Sequence, residues 1–350
     1  MRAAVLNRGE MVVRDDVAEP VPDPGQVLVE VRACGICGSD LHFARHGHRA
    51  VEVGRQMEGM PELGGPQPEL DLERDVYMGH EFAAEILDTG PDTATFPPGT
   101  LVTSIPILAS ASAIRPIVYS NEVLGGYAER MLLSAPLLLE VPNGLAASHA
   151  ALTEPMAVGL HAVNRSQIGS ADGAVVLGAG PVGLAVIAAL KLKGVAPIVA
   201  ADFSPARRAL AVTLGADEAV DPREETAWAA YGRVGRGRPV VAFEAIGVPG
   251  VIDDIMRQCP PQSRLVVVGV CMEDDTMTPY YGISKELNLQ FALGYDPMEF
   301  AACLRSIAEG EIDVAPIITA EVGLDRVAWA FDALGDPEQH CKILVTPSEG

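Results

Sequence analysis

The sequence has no long apolar run. A membrane-spanning helix needs about 18 or more consecutive apolar residues, and Lys191 interrupts the longest candidate. Residues 1–8 also lack the apolar core of a signal peptide. From these two absences we expect no association with membranes and a cytoplasmic location.

Basic residues are scarce as well. The 350 residues include 25 Lys and Arg against 47 Asp and Glu, which gives a formal net charge of −22. Nucleic acids and anionic membrane surfaces attract basic protein surfaces. We therefore expect neither of them as a partner, and the simplest role of the negative charge is solubility.

Cysteine is sparse and scattered. Such spacing forms no disulfide framework in a chain of this length, and we expect reduced thiols. The six positions are Cys34, Cys37, Cys259, Cys271, Cys303 and Cys341.

What the sequence does contain is a glycine-rich turn between an apolar strand and a helix. Residues 174–177 lead into Gly178-Ala179-Gly180-Pro181-Val182-Gly183, a G-x-G-x-x-G pattern, and a run with helical spacing follows. Gly178 would allow the sharp turn, Gly180 the approach of a pyrophosphate, and Gly183 close packing of helix on strand. The phosphates would bind the N–H groups at the helix N-terminus, beside Val182. A plain strand-to-helix turn is the alternative at this point.

Two residues after the next strand refine the cofactor hypothesis. Asp202 follows the apolar run 197–201, about 20 residues past the glycines, where an acidic residue holds a ribose 2′-OH. Its carboxylate would repel a 2′-phosphate, so we predict NAD rather than NADP. Arg207 is near enough in sequence to cover the adenosine, although its charge also tolerates phosphate.

The order of elements predicts two domains. The first third is β-rich, with short runs at 3–6, 11–14 and 27–33 between Pro and Gly, which favours a barrel. From 174 onward, strands alternate with helices that start near Pro181, Pro205 and Pro249, a pattern that demands a parallel sheet covered on both faces. The strands are expected near 174–177, 197–201, 239–243, 264–270 and 288–293.

The tail and one long segment complete this division. Two helices, 299–309 and around 324–334, and a last strand at 342–346 are expected to return to the first domain. The predicted domains are therefore 1–152 with 295–350, and 153–294. Residues 43–77 are rich in Gly, Pro and Glu without a clear period, so we predict a long loop there.

A dinucleotide site does not say what reacts, so the first domain must supply the reacting groups. Its candidates are Cys37, His80, Glu81 and Glu154, and a thiolate, an imidazole and a carboxylate are good zinc ligands. From the residues alone, Cys37 could equally be a buried thiol, and a histidine in the position of His80 is more often a core residue than a ligand. Pro155 follows Glu154 and disfavours helical backbone there, so we expect the Glu154 side chain away from a helix face.

Four motifs together carry a resemblance to a known family. They are GICGSDLH at 35–42, GHEF at 79–82, Glu154-Pro155 and the glycine pattern at 178–183. In this order along the chain they resemble the zinc-dependent medium-chain alcohol dehydrogenases, and within them the polyol branch of sorbitol, butanediol and threonine dehydrogenases. The resemblance implies an α/β protein with an N-terminal GroES-like β-barrel catalytic domain and a Rossmann domain with a doubly wound parallel sheet. It also implies a homodimer or homotetramer.

The resemblance assigns a role to each metal candidate. Cys37 and His80 match the zinc ligands of the family, and Glu81 matches the following carboxylate, which can approach the metal. Glu154 matches the Glu-Pro carboxylate of the polyol branch, which binds zinc directly or through its water. Which of Glu81 and Glu154 is the direct ligand stays open.

Three further residues match the groups around the metal. Asp40 matches an acid that orients the ligating histidine, as expected because imidazole ligands usually donate their other N–H to an oxygen. Ser39 and His42 match the hydroxyl and the imidazole of the family's proton relay. These three are the predicted catalytic residues.

The chain departs from the family in one respect. Many relatives carry four closely spaced cysteines, which hold a structural zinc, after the Gly-His-Glu motif. The segment from Leu101 to Tyr119 contains no cysteine. We therefore expect one catalytic zinc per chain and no structural zinc.

The resemblance implies an NAD- and zinc-dependent enzyme that reversibly oxidises a secondary alcohol, vicinal diol or polyol to a ketone. Zinc would act as a Lewis acid that lowers the pKa of the bound alcohol. Two alternatives are open at this point. One is a zinc-free reductase of the quinone or enoyl type with the same fold, and the other is a non-catalytic NAD-binding redox sensor.

Overall fold

The computed structural model describes residues 1–56, 70–111 and 113–348. The chain divides into two compact units, which are Met1–Glu154 with Ile318–Asp336 and Lys342–Gly350, and Pro155–Ile317 with Pro337–Cys341. In the described parts of both units, no helix combines the length and the apolar character needed to cross a membrane.

The elements follow each other along the chain in three groups. The first group is β1 (Ala3–Asn7), β2 (Glu10–Arg14), β3 (Gln26–Gly35), α1 (Gly38–Gln56), β4 (Val76–Tyr77), β5 (Glu81–Thr89), β6 (Leu101–Ser104), β7 (Ile107–Ala109), β8 (Ile114–Pro116), β9 (Arg130–Ser134), β10 (Leu138–Glu140) and α2 (Ala147–Ala151). The second group is α3 (Thr153–Arg165), β11 (Gly173–Leu177), α4 (Pro181–Leu192), β12 (Ile198–Ala201), α5 (Pro205–Leu214), β13 (Glu218–Val220), α6 (Ala227–Val234), β14 (Val240–Glu244), α7 (Val251–Gln258), β15 (Arg264–Val267), α8 (Pro279–Lys285), β16 (Asn288–Phe291) and α9 (Pro297–Ala308). The third group is β17 (Ile318–Val322), α10 (Val327–Ala333) and β18 (Lys342–Val345).

The first unit is built on strands around one core, and they pair antiparallel except for β17 and β18, which are parallel. Its larger sheet has the order β10-β6-β5-β3-β18-β17, with β9 also paired to β3, and a smaller sheet has the order β2-β1-β4. The side chains of β3 alternate between the core and the surface over part of its length. Val27, Val29 and Val31 are fully buried, whereas Glu30 and Arg32 are partly exposed. The β-rich first unit is thus as predicted, and its last strand comes from the chain's tail.

Helix α1 corrects one prediction. The expected loop at 43–77 is wrong over 43–56, where the helix continues to Gln56 with a kink at His46, and at its end, where Val76–Tyr77 form β4 and pair with β1. The reason is packing, because Phe43 is buried in the core and Ala44 and Ala50 pack against it. The Gly- and Pro-rich part of the expected loop, residues 57–69, lies outside the described residues.

The second unit contains the predicted parallel sheet. Its strand order is β13-β12-β11-β14-β15-β16, and every neighbouring pair is parallel. Strand β11 is nearly all apolar and buried, as a strand covered on both faces must be. The order reverses between β11 and β14, the switch point at which doubly wound sheets bind ligands. The α/β fold class is therefore the predicted one.

The tail rejoins the first unit later than residue 295. Helix α9 belongs to the second unit, because Glu299 accepts hydrogen bonds from His161 Nδ1 at 2.8 Å and Asn164 Nδ2 at 2.7 Å, both on α3. A capping box at Asp296 and Glu299 begins the helix. The return to the first unit starts with β17.

Candidate active site

The predicted metal candidates Cys37, His80 and Glu81 come together in the first unit. Their thiol sulfur, ring nitrogen and carboxylate oxygen all lie within 4.8 Å of one another. The pairing of β3 with β5 causes this, since Gly35 is opposite Glu81 in the register. Cys37 follows two residues after Gly35, immediately before α1. His80 and Glu81 are buried, whereas Cys37 is partly exposed.

Asp40 lies beside both Cys37 and His80. Its Oδ2 accepts the Cys37 N–H at 3.1 Å and the hydroxyl of Tyr127 at 2.6 Å. Its Oδ1 faces His80 Nδ1 at 3.6 Å, and neither atom has a hydrogen-bond partner in the described parts of the chain. The side of the ring that carries Nδ1 is therefore directed at a carboxylate, which leaves Nε2 for a metal ion.

The charges around His80 favour a cation. Burial alone would lower the pKa of His80, but Asp40, Cys37 and Glu154 outweigh it and raise that pKa well above its usual value. A neutral imidazole, a thiolate and a carboxylate are the ligands that zinc accepts in proteins. The donor atoms and the concentrated negative charge thus fit a zinc ion.

Glu154 lies beside this cluster, and its backbone corrects a prediction. It is in the first turn of α3, not outside a helix, and it is buried. Pro155 is tolerated because the first N–H groups of a helix have no partner within the helix. The Glu154 charge acts on His80 and on Tyr119. Glu154 is nevertheless outside the group of donor atoms within 4.8 Å.

Ser39 and His42 both lie at the start of α1, three residues apart and therefore on neighbouring positions of one face. Both side chains are partly exposed. The Ser39 hydroxyl interacts with the phenol of Tyr119. Ser39 and His42 thus follow Cys37 within five residues and share the first turns of α1 with Asp40, the other predicted catalytic residue.

The glycine turn of the second unit has the geometry that its sequence predicts. Gly178 has a φ of 91°, which only glycine adopts easily. A Cβ at Gly183 would lie 1.9 Å from the carbonyl oxygen of Gly178, so a side chain there would prevent the helix from packing against the turn. Gly180 is the N-cap of α4, and Val182 is in its first turn.

Asp202 and Arg207 lie next to this turn. Asp202 follows β12, and its two carboxylate oxygens accept the N–H groups of Ala179 and Ser204, each at 2.8 Å. A Cβ at Gly180 would be 4.0 Å from Arg207 Nη1. Arg207 Nε is buried without a hydrogen-bond partner in the described residues, which fits an anion that arrives with a cofactor.

Known proteins share this arrangement over the whole chain. Residues 23–143 match the alcohol dehydrogenase GroES-like domain, and residues 181–309 match the zinc-binding dehydrogenase domain. The chain is 31% identical to (R,R)-butanediol dehydrogenase of Bacillus subtilis (strain 168) over 358 residues, which covers 99% of this chain and 100% of that protein. The chain belongs to the zinc-dependent medium-chain alcohol dehydrogenases.

Other relatives agree with this family. The crystal structure of 2R,3R-butanediol dehydrogenase from Bacillus subtilis matches with a TM-score of 0.81 at 30% identity, covering 99% of both chains. Sorbitol dehydrogenase of Bacillus subtilis (strain 168) is 25% identical over 99% of this chain and 98% of its own. A zinc-binding dehydrogenase from Sinorhizobium meliloti 1021, solved bound to NADP, matches with a TM-score of 0.80 at 26% identity over 99% of both chains. The protein is therefore an enzyme, a dehydrogenase that uses zinc, a nicotinamide cofactor and a small-molecule substrate.

The dehydrogenase contains site residues that the sequence did not reveal. Lys342 Nζ donates to both carboxylate oxygens of Glu81 at 2.8 Å and to the Ile36 carbonyl at 2.9 Å. Tyr127 donates a hydrogen bond to Asp40, and Tyr119 interacts with Ser39. One signal for Lys342 was available, because a lysine inside an apolar, buried strand requires a partner.

Proposed function

We propose that this dehydrogenase reversibly oxidises a secondary alcohol or vicinal diol to a ketone, with NAD as the cofactor and one zinc per chain. The observation that carries the proposal is that Cys37, His80 and Asp40 lie close together. The same chain also has the glycine turn and Asp202. The names of the butanediol and sorbitol dehydrogenase relatives support the substrate class.

The zinc would be held by Cys37 and His80, with Glu154 as the third ligand. Glu81 is closer to the other two donors, but Lys342 engages both of its oxygens. When bound, zinc supplies Lewis acidity toward the substrate oxygen and the nicotinamide accepts the hydride. The absence of cysteine from 101–119, where β7 and β8 form a hairpin, supports a single zinc.

The chain's own residues move the proton. Ser39 would accept the proton of the substrate hydroxyl, and His42, on the same face of α1, would deliver it to solvent. A general base works best when its pKa is near the working pH, and histidine meets this condition. Asp40 contributes by holding the His80 ring in one orientation.

The cofactor preference rests on Asp202. A carboxylate next to the glycine turn accepts from a ribose 2′-OH and repels a 2′-phosphate. Arg207, whose guanidinium is near Gly180, would bind the cofactor phosphates. These two contacts support NAD as the preferred cofactor.

The exposed edge of the parallel sheet supports a homo-oligomer. In the described residues β16 pairs only with β15, which leaves its outer edge open. The side chains of Phe291 and Leu293 at and after this strand are 58% and 84% exposed. A second copy of the chain that pairs through β16 would cover them. Light scattering on the wild type and on Leu293→Glu would test this dimer. The cytoplasmic location stays a separate prediction.

The deciding experiment combines metal analysis with a substrate panel. Mass spectrometry should find about one zinc per chain, and a panel of secondary alcohols, diols and polyols should reduce NAD. Cys37→Ser should abolish turnover and zinc binding while NAD binding remains, and Cys271→Ser, a partly exposed cysteine of the other unit, is the control.

Each alternative predicts a different result from this experiment. A zinc-free quinone or enoyl-type reductase would keep its activity without metal. A non-catalytic sensor would bind NAD, oxidise nothing in the panel, and tolerate the loss of Cys37.

A further inference from the structure

Tyr119 is held against the first turns of α1. Its ring stacks on that of Phe43, with centroids 4.0 Å apart and planes inclined by 10°. Phe43 is a buried core residue, so it provides a fixed surface. The next residue, Ser120, exchanges two backbone hydrogen bonds with Tyr77, at 2.7 and 3.2 Å. Both the ring and the backbone of Tyr119 are therefore fixed.

The stack places the Tyr119 ring on the face of α1 that carries Ser39. Ser39 and Phe43 are four residues apart on α1 and hence lie one above the other on the same face. A single side chain reaches both, because the Tyr119 ring stacks on Phe43 and its phenol is close enough to the Ser39 hydroxyl for the two groups to interact. A serine hydroxyl has one donor and two acceptor positions. The phenol of Tyr119 is placed to take one of these positions.

The surroundings keep the phenol protonated. Burial first, and then the charge of Asp40, raise the pKa of Tyr119 far above its usual value, while the interaction with Ser39 acts in the opposite direction. A protonated phenol can donate a hydrogen bond to the Ser39 oxygen. The hydroxyl hydrogen of Ser39 is then available for another partner.

We propose that Tyr119 is a positioning residue for this dehydrogenase, which holds the Ser39 hydroxyl in the orientation that accepts the substrate proton. The inference rests on the proton transfer through Ser39 proposed above. Tyr119 would act through Ser39 and not through the fold of the unit, since Phe43 supports the ring whether or not the phenol oxygen is present.

The test uses variants that differ by one oxygen atom. Tyr119→Phe keeps the stack on Phe43 and removes only the phenol oxygen. Tyr77→Phe is the matched control, because Tyr77 belongs to the same backbone bridge but its charged neighbours are Asp75, Arg74, Asp16 and Arg14, none of which is in the site. Ser39→Ala and the double variant Ser39→Ala with Tyr119→Phe complete a double-mutant cycle.

We expect Tyr119→Phe to lower kcat about tenfold near pH 7, the scale of one hydrogen bond, with KM nearly unchanged. Near pH 9 the loss should be smaller, because hydroxide can take the substrate proton directly. Tyr77→Phe should match the wild type at both pH values. In the double variant, removal of the phenol should cause no further loss beyond that of Ser39→Ala.

The outcomes separate this inference from the proposed function. If Ser39→Ala turns over as fast as the wild type, the proton transfer through Ser39 is wrong and the inference fails with it. If Ser39→Ala is slow but Tyr119→Phe behaves like Tyr77→Phe, only the inference is overturned. Additive losses in the double variant, or an equal loss at all pH values, would also overturn it, because Tyr119 would then act without Ser39.

Discussion

Lys342 and Glu81 form an ion pair that is closed off from solvent. The ammonium nitrogen is 2.8 Å from each carboxylate oxygen, and both side chains are 1% exposed. The residues are 261 positions apart in the sequence, and the pair connects β18 to the start of β5. Lys342 therefore neutralises the charge of Glu81, the residue that follows His80 in the candidate zinc site.

The first prediction concerns this pair. Lys342→Met should lower the free energy of unfolding by about 3–5 kcal/mol, because it leaves the Glu81 carboxylate buried without a counter-charge. Urea unfolding measures the change. Arg8→Met is the control, since the Arg8–Glu73 pair is exposed and should contribute at most about 1 kcal/mol.

A second variant checks the reason for this loss. Adding Glu81→Gln to Lys342→Met removes the uncompensated charge, so part of the stability should return. If Lys342→Met were no less stable than Arg8→Met, the ion pair would not be a buried one in solution.

The second prediction distinguishes the two carboxylates near the metal. Glu154→Gln should weaken zinc binding and reduce turnover by at least roughly ten- to a hundredfold, since that is already the loss when a group that only supports a metal ligand is removed. Glu81→Gln should retain zinc, because Lys342 already occupies that carboxylate. Zinc titration and steady-state kinetics measure both effects. The assignment is reversed if Glu81→Gln releases zinc while Glu154→Gln holds it.

Local patterns in the sequence predicted most of the fold. The apolar strand before Gly178 and the helix after it identify the nucleotide-binding unit, because each glycine there has a steric reason. Prolines marked the starts of α4 and α5. Helix α1 beyond Phe43 escaped prediction because histidines and Gly47 interrupt its apolar period, although the buried ring of Phe43 holds it in place.

The site was predicted less completely, for a different reason. Cys37, His80 and Asp40 belong to motifs of adjacent residues, so their sequence identifies them. The partners that orient them are distant, since Tyr127 is 87 residues from Asp40 and Lys342 is 261 from Glu81. Such pairs depend on the register of strands and leave no local pattern. Pro155 misled the prediction for Glu154 because the first turn of a helix accepts proline.

The third prediction concerns cofactor choice. The wild type should have a higher kcat/KM with NAD than with NADP, because the Asp202 carboxylate would repel a 2′-phosphate. Asp202→Asn keeps the shape and removes the charge, so the NADP-to-NAD ratio of kcat/KM should rise about tenfold. Asp217→Asn is the control, since Asp217 also accepts a backbone N–H, from Ile198, but it is not bonded to the glycine turn. A wild type that prefers NADP would contradict the role given to Asp202.

The last prediction is a pH dependence of stability in the second unit. Burial alone would raise the pKa of Glu299, but hydrogen bonds from Asn164, the Asp296 N–H and His161 outweigh it and lower that pKa below the ordinary 4.5. The fold therefore favours the ionised carboxylate. The resulting stability is complete above the pKa of the unfolded chain and is lost as the pH falls through the lower pKa of the folded chain.

Glu299→Gln should therefore unfold more easily than the wild type at pH 7, by about 1.5–3 kcal/mol, the scale of a hydrogen bond to a charged group. The difference should shrink as the pH falls below the ordinary carboxyl value of 4.5 and through the lower pKa of the folded chain, because the wild-type carboxylate then becomes protonated as well. Urea unfolding across this pH range measures it, with Glu273→Gln, an exposed glutamate of the same unit, as the control. A difference that stays constant down to the acid limit would mean that Glu299 joins α9 to α3 by its shape and not by its charge.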